Sequence, residues 1–170
     1  HAIPFLTDMG IDPIMAAGMF AMVLIVGLPL RLFSGFLSDR VQGDHLRFLL
    51  GGAYLMMAGG FALFLLNQTI PMIYAWFIIY GIGNGIWVGV GRPLRARYFG
   101  RKAVGSITGI SMMIMTPVGI AAPIYFGWMY DTTGSYITAF TMTMGLLAFA
   151  GVIISLARPP RPPAEVTDIR

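Results

Sequence analysis

The stretch Leu28-Pro-Leu-Arg31-Leu-Phe-Ser-Gly35-Phe-Leu-Ser-Asp39-Arg40 decides how the rest of the chain is read. It begins inside a long apolar run, carries one arginine within that run, and leaves it through Gly-x-x-x-Asp-Arg. A charge inside a hydrocarbon-length helix costs about 3 kcal/mol or more unless it faces a cavity or a partner. All other basic residues lie between apolar runs or after the last one.

The surrounding composition is that of a membrane protein. Of 170 residues, 57% are hydrophobic and 11% are charged, and the mean hydropathy is +0.78. A soluble domain carries about 25% charged residues. The absence of cysteine excludes disulfides and thiolate metal sites. The net charge of +4 is divided among short separate gaps, which suits anchoring in a headgroup layer and not nucleic-acid binding.

A helix needs about 20 apolar residues to cross a bilayer core. Five runs qualify: Ile14 to Ser38, Phe48 to Leu66, Ile70 to Val90, Val104 to Tyr130 and Tyr136 to Ala157. Strict apolar–polar alternation is absent, which argues against a membrane barrel. The chain is therefore expected to be an all-α membrane protein with five transmembrane helices. Residues 1–13 are expected to be an exterior segment at the end of a preceding helix. Residues 14–157 form the bundle, and 158–170 a proline-rich cytoplasmic tail.

The gaps set the orientation. Arg40 and Arg47 follow the first span, Arg92, Arg95, Arg97, Arg101 and Lys102 the third, and Arg158, Arg161 and Arg170 the fifth. Ten of the eleven Lys and Arg residues thus fall on one side. The other side holds Asp8, Asp12 and Asp131. The positive-inside rule places the basic gaps and the carboxyl terminus in the cytoplasm.

Arg31 is the eleventh. Helical spacing puts Gly27, Arg31, Ser34 or Gly35, and Ser38 on one face, with small residues leaving room beside the arginine. Two readings stand: a snorkelling or structurally paired arginine, or an anion ligand facing a cavity, since guanidinium matches a carboxylate with a planar donor fork. The third span carries Gly81-x-x-x-Gly85-x-x-x-Gly89, a seam for a close helix crossing. Beside it runs a stripe of Trp76, Tyr80, Asn84 and Trp87. Asn84 suits either a helix–helix hydrogen bond or a substrate path, and the tryptophans suit an interface belt. The stretch from Gly91 to Lys102 reads as a basic anchoring loop. In the fourth span, Pro117, Gly119 and Pro123 suit a gating helix, while Met112, Met113 and Met115 read as adaptable packing. No His, Asp, Glu or Cys cluster suits catalysis or a metal, so no enzyme activity and no cofactor is expected.

The exit Gly35-Phe-Leu-Ser-Asp39-Arg40, followed by Gly43, resembles the repeated cytoplasmic-loop motif of the major facilitator superfamily of secondary transporters. The resemblance implies that Gly35, Asp39, Arg40 and Gly43 belong to a gating loop, with Asp39 meeting a helix amino terminus. Arg97-Tyr-Phe-Gly-Arg101 with Gly105-Ser-Ile-x-Gly109, and Gly127-x-x-x-Asp131-x-Thr-Gly-Ser-Tyr136, are similar to the oxalate/formate antiporter and monocarboxylate transporter branch. The five spans then correspond to the last five helices of a twelve-helix fold, with the amino-terminal half as a missing partner. On that template Arg31, four residues before Gly35, holds a substrate carboxylate, with Tyr80 and Asn84 nearby. No lysine stands in the fourth span to serve as a second cation. The resemblance implies alternating-access transport of a small organic anion, a mono- or dicarboxylate, across a bacterial inner membrane. The alternatives are another solute, or a non-transporting scaffold or sensor.

Overall fold

Residues 2–41, 45–100 and 103–158 are described in the computed structural model of the chain. They form six helices: α1 (Ala2–Asp8), α2 (Pro13–Arg40), α3 (Leu46–Leu66), α4 (Ile70–Phe99), α5 (Val104–Thr133) and α6 (Ile137–Leu156). All but α1 are long and apolar enough to cross a bilayer, so the chain is a multi-pass integral membrane protein. Gly43, Arg101, Lys102 and the tail beyond Arg158 lie outside the described residues.

Local sequence explains the start of α2 and the end of α5. Asp12 caps α2: its Oδ1 accepts from the amides of Ile14 (2.9 Å) and Met15 (3.3 Å), satisfying donors that have no partner in a first turn. Pro13 at the first position has no donor to lose. α5 stops at Gly134, whose left-handed φ of +67° lets its amide reach the Tyr130 carbonyl at 2.8 Å.

One boundary differs from the sequence reading. The segment from Gly91 to Phe99, expected as loop, continues α4 as helix, and the break comes at Gly100 with φ +77°. Pro93 removes one hydrogen bond, but Leu94, Arg95, Ala96 and Arg97 are good helix formers and carry the helix onward. α4 thereby projects nine further residues, about 14 Å, past Val90.

The packing follows the glycine seam. α4 packs closely against both α2 and α3, α3 also packs against α6, and α1 lies on α2. A Cβ on Gly85 would stand 2.6 Å from the Gly27 carbonyl oxygen, and one on Gly81 3.1 Å from the Val23 Cα. Only hydrogen at these positions permits the α2–α4 approach, as the doubled small-residue spacing predicts. α5 meets α4 and α6 sparsely, and none of its residues is buried.

Two apolar clusters mark the two ends. At one end Phe5, Phe64, Trp76, Phe77, Tyr136 and Phe140 join α1, α3, α4 and α6. Trp76 is stacked on Phe64 (centroids 4.4 Å) and on Phe77 (4.5 Å). It is therefore a core residue, 3% exposed, and not part of an interface belt. At the other end Leu46, Leu50, Val90 and Leu94 pack with Tyr54 and Trp87.

Candidate functional site

Arg31 and Asn84 come from helices whose backbones nearly touch. Arg31 Nη2 donates to Asn84 Oδ1 at 3.1 Å. Nε of Arg31 is buried and has no partner among the described residues. The guanidinium thus has a neutral partner where a carboxylate would complete it.

The small face around Arg31 is occupied by α4. Gly27, Ser34 and Ser38 are buried, and a Cβ on Gly89 would fall 2.7 Å from the Arg31 carbonyl oxygen. Ser34 Oγ donates to the Gly85 carbonyl at 3.3 Å. The space that small side chains leave beside Arg31 therefore serves the α2–α4 crossing, and the guanidinium itself stays only partly buried. Pro29, two residues earlier, leaves the Ile25 carbonyl without its helical donor.

Tyr80 sits one turn from Asn84 on α4. It lines an aromatic cavity of about 130 Å³ with Phe20, Val23, Phe61, Trp76, Phe77 and Phe140. The structure thus brings Arg31 and Asn84 together and gives Tyr80 a separate aromatic setting.

The exit motif lies at the basic end. Gly35 accepts from Ser38 Oγ at 2.7 Å. Asp39 and Arg40 are exposed. Arg40 lies over the Phe36 ring, with Cζ 4.2 Å from its centroid. Asp39 lines a cavity of about 240 Å³ with Pro93, Ala96 and Arg97 from the last turns of α4.

Sequence reasoning missed what two arginines do. Arg97 donates from Nη1 to the Val41 carbonyl and from Nη2 to the Ser38 carbonyl. Arg47 Nη1 donates to the Ala157 carbonyl at 2.8 Å. Each therefore caps the carboxyl end of another helix, α2 and α6, where orphan carbonyls and the helix dipole favour a cation. Both were visible only as positive charges near span ends. Their contacts also show that the basic segments between α2 and α3, at the end of α4 and after α6 share one end of the bundle.

Comparison with known proteins agrees with this architecture. The sequence profile of the Major Facilitator Superfamily matches residues 2–170. The chain is 29% identical over 158 residues to "Monocarboxylate transporter 13" of Rattus norvegicus, covering 92% of this chain and 36% of the rat protein. It is 22% identical over 159 residues to "Monocarboxylate transporter 12" of Mus musculus, covering 93% and 33%. It is 26% identical over 150 residues to "Uncharacterized transporter YycB" of Bacillus subtilis (strain 168), covering 87% and 36%. The chain spans about a third of the length of these relatives. No solved structure matches it significantly. Five membrane-length helices, a Gly-x-x-x-Asp-Arg exit and a profile match along the chain from residue 2 to its end lead to one assignment: the chain belongs to the major facilitator superfamily.

Proposed function

We propose that this chain is part of a secondary transporter that moves a small organic anion, a mono- or dicarboxylate, by alternating access. One observation carries the reading. Arg31 lies within a membrane-length helix, and among the described residues its guanidinium hydrogen-bonds the neutral Asn84 amide while its Nε is buried with no partner. No acidic residue falls between Ile14 and Ser38 or between Ile70 and Phe99 to neutralise it. A cation held this way gains most from an anionic ligand. The names of the mammalian relatives agree with a carboxylate.

In this proposal Arg31 binds the carboxylate, Asn84 holds the guanidinium in place, and Tyr80 borders the path. Gly35, Asp39, Arg40 and Gly43 form the gating loop, which meets the amino-terminal half of the transporter. The basic end faces the cytoplasm, and the membrane is the bacterial inner membrane. Rocking of two halves about a midplane site then exposes Arg31 to each side in turn.

The test is counterflow uptake of labelled carboxylates by the full-length protein in liposomes. Arg31→Gln is expected to lower kcat/KM about a hundredfold for the transported anion while the protein stays monodisperse. Undiminished uptake would make Arg31 structural. Uptake of only neutral or cationic solutes would leave the superfamily without the substrate class.

A further inference from the structure

Arg95 differs from its basic neighbours. Arg92 points into the open, and Arg97 is committed to the α2 carbonyls. Arg95 is half-buried, and its Nη1 donates to Thr108 Oγ1 of α5 at a long 3.4 Å. Its Nη2 lies over Gly91, 3.8 Å from where a Cβ on that glycine would stand. The side chain therefore folds back along α4 toward the bilayer centre, the direction that long helical side chains take.

That direction leads to Asn84. Eleven residues separate Asn84 from Arg95, which is three turns plus about 20°, so both lie on one face of α4. Gly91 falls on the same face between them and adds no side chain. The axial separation is about 16 Å, and the backward lean of Arg95 reduces it to about 10 Å. Tyr54 of α3 and Trp87 of α4 each pack against the basic-end cluster, and the Tyr54 phenol has the Trp87 side chain as a hydrogen-bond partner and the Arg95 charge nearby. Three helices thus place a guanidinium, an indole N–H and two hydroxyls at one end of the stripe that carries the Arg31–Asn84 pair.

We propose that Arg95, with Tyr54, Trp87 and Thr108, forms a second anion site for the carboxylate of the transported solute, at the basic end of the α4 face that leads to Arg31. The identity of the anion rests on the transport reading above. The site itself is a staging post: a carboxylate leaving Arg31 toward the cytoplasm exchanges one guanidinium for another about two turns further along α4. The weak neutral contact to Thr108 is readily displaced, whereas Arg97 would have to abandon a helix end.

Two measurements on the full-length protein test this. The first compares KM from each side, in inside-out and right-side-out vesicles. Arg95→Gln is expected to raise the cytoplasmic KM about tenfold, to leave the exterior KM within twofold, and to be largely rescued by Arg95→Lys. Equal losses from both sides, or a loss of maximal rate alone with no rescue by Lys, would overturn the proposal. The second reads Trp87 fluorescence in detergent against acetate, lactate, benzoate and oxalate, with Trp87→Phe as the blank. A saturable change in Arg31→Gln that disappears in Arg31→Gln/Arg95→Gln supports the site even if no carboxylate is transported. No saturable change with any of the four, or one that needs phosphatidylglycerol and no carboxylate, would sink it.

Discussion

Arg31 and Asn84 meet across the α2–α4 crossing through one hydrogen bond, guanidinium Nη2 to amide oxygen, at 3.1 Å. They are 53 residues apart in sequence, and the approach of Gly27 to Gly81 and Gly85 makes the bond possible. The pair joins a charge and a neutral dipole, so it orients the arginine without neutralising it.

A carboxylate placed at Asn84 would neutralise it. Asn84→Asp is expected to form an internal ion pair with Arg31, keep the fold, and reduce carboxylate uptake at least tenfold. Asn84→Ala removes only the orienting bond and is expected to reduce uptake several-fold. Parent-like uptake by Asn84→Asp in the liposome assay would show that the anion does not use Arg31.

The seam tolerates no methyl group where backbone faces backbone. A Cβ on Gly85 would lie 2.6 Å from the Gly27 oxygen and 2.8 Å from Leu30 Cβ. Gly85→Ala is expected to destabilise by about 1–3 kcal/mol as the helices separate. Gly18→Ala on α2 meets nothing within 4 Å and is expected to be neutral or slightly stabilising. Thermal unfolding of the two variants in detergent separates these outcomes.

Arg97 holds the end of α2 through two carbonyls. Arg97→Ala is expected to cost about 1 kcal/mol, reduced from a buried value because the side chain is solvent-accessible. Amides of the last α2 turn, including Val41, should exchange hydrogen faster. Arg92→Ala is the matched control: it removes the same charge from an exposed position, so equal effects in the two variants would reduce Arg97 to general electrostatics.

Trp76 contributes its rings more than its N–H. The indole nitrogen is buried with no hydrogen-bond partner among the described residues, while the ring stacks on Phe64 and Phe77. Trp76→Phe is expected to be tolerated within about 1.5 kcal/mol, and Trp76→Ala to cost about 3–5 kcal/mol. A Phe variant as damaged as the Ala variant in thermal unfolding would mean that the indole N–H matters.

Sequence reasoning located the glycine seam of α4, though not the helix it meets, because small residues at every fourth position have one geometric consequence. It identified Arg31 because a lone charge in an apolar run stands out. It ended α4 nine residues early, because charge and Pro93 resemble a loop when backbone propensity is set aside. It offered Trp76 an interface belt, since a tryptophan near a span end gives no sign of which way it faces.

The sequence by itself determined the class: five hydrocarbon-length helices, basic residues gathered in alternate gaps, one arginine within a span. These follow from transfer energies and lengths, which are local and additive. Only the tertiary structure decided which residues meet. Arg31 finds Asn84, Arg97 finds Ser38 and Val41, Arg47 finds Ala157, and α4 fills the space that the small face of α2 leaves open. Each pairing joins distant segments and depends on helix rotation and approach distance, which are fixed when several glycine and aromatic contacts are satisfied together.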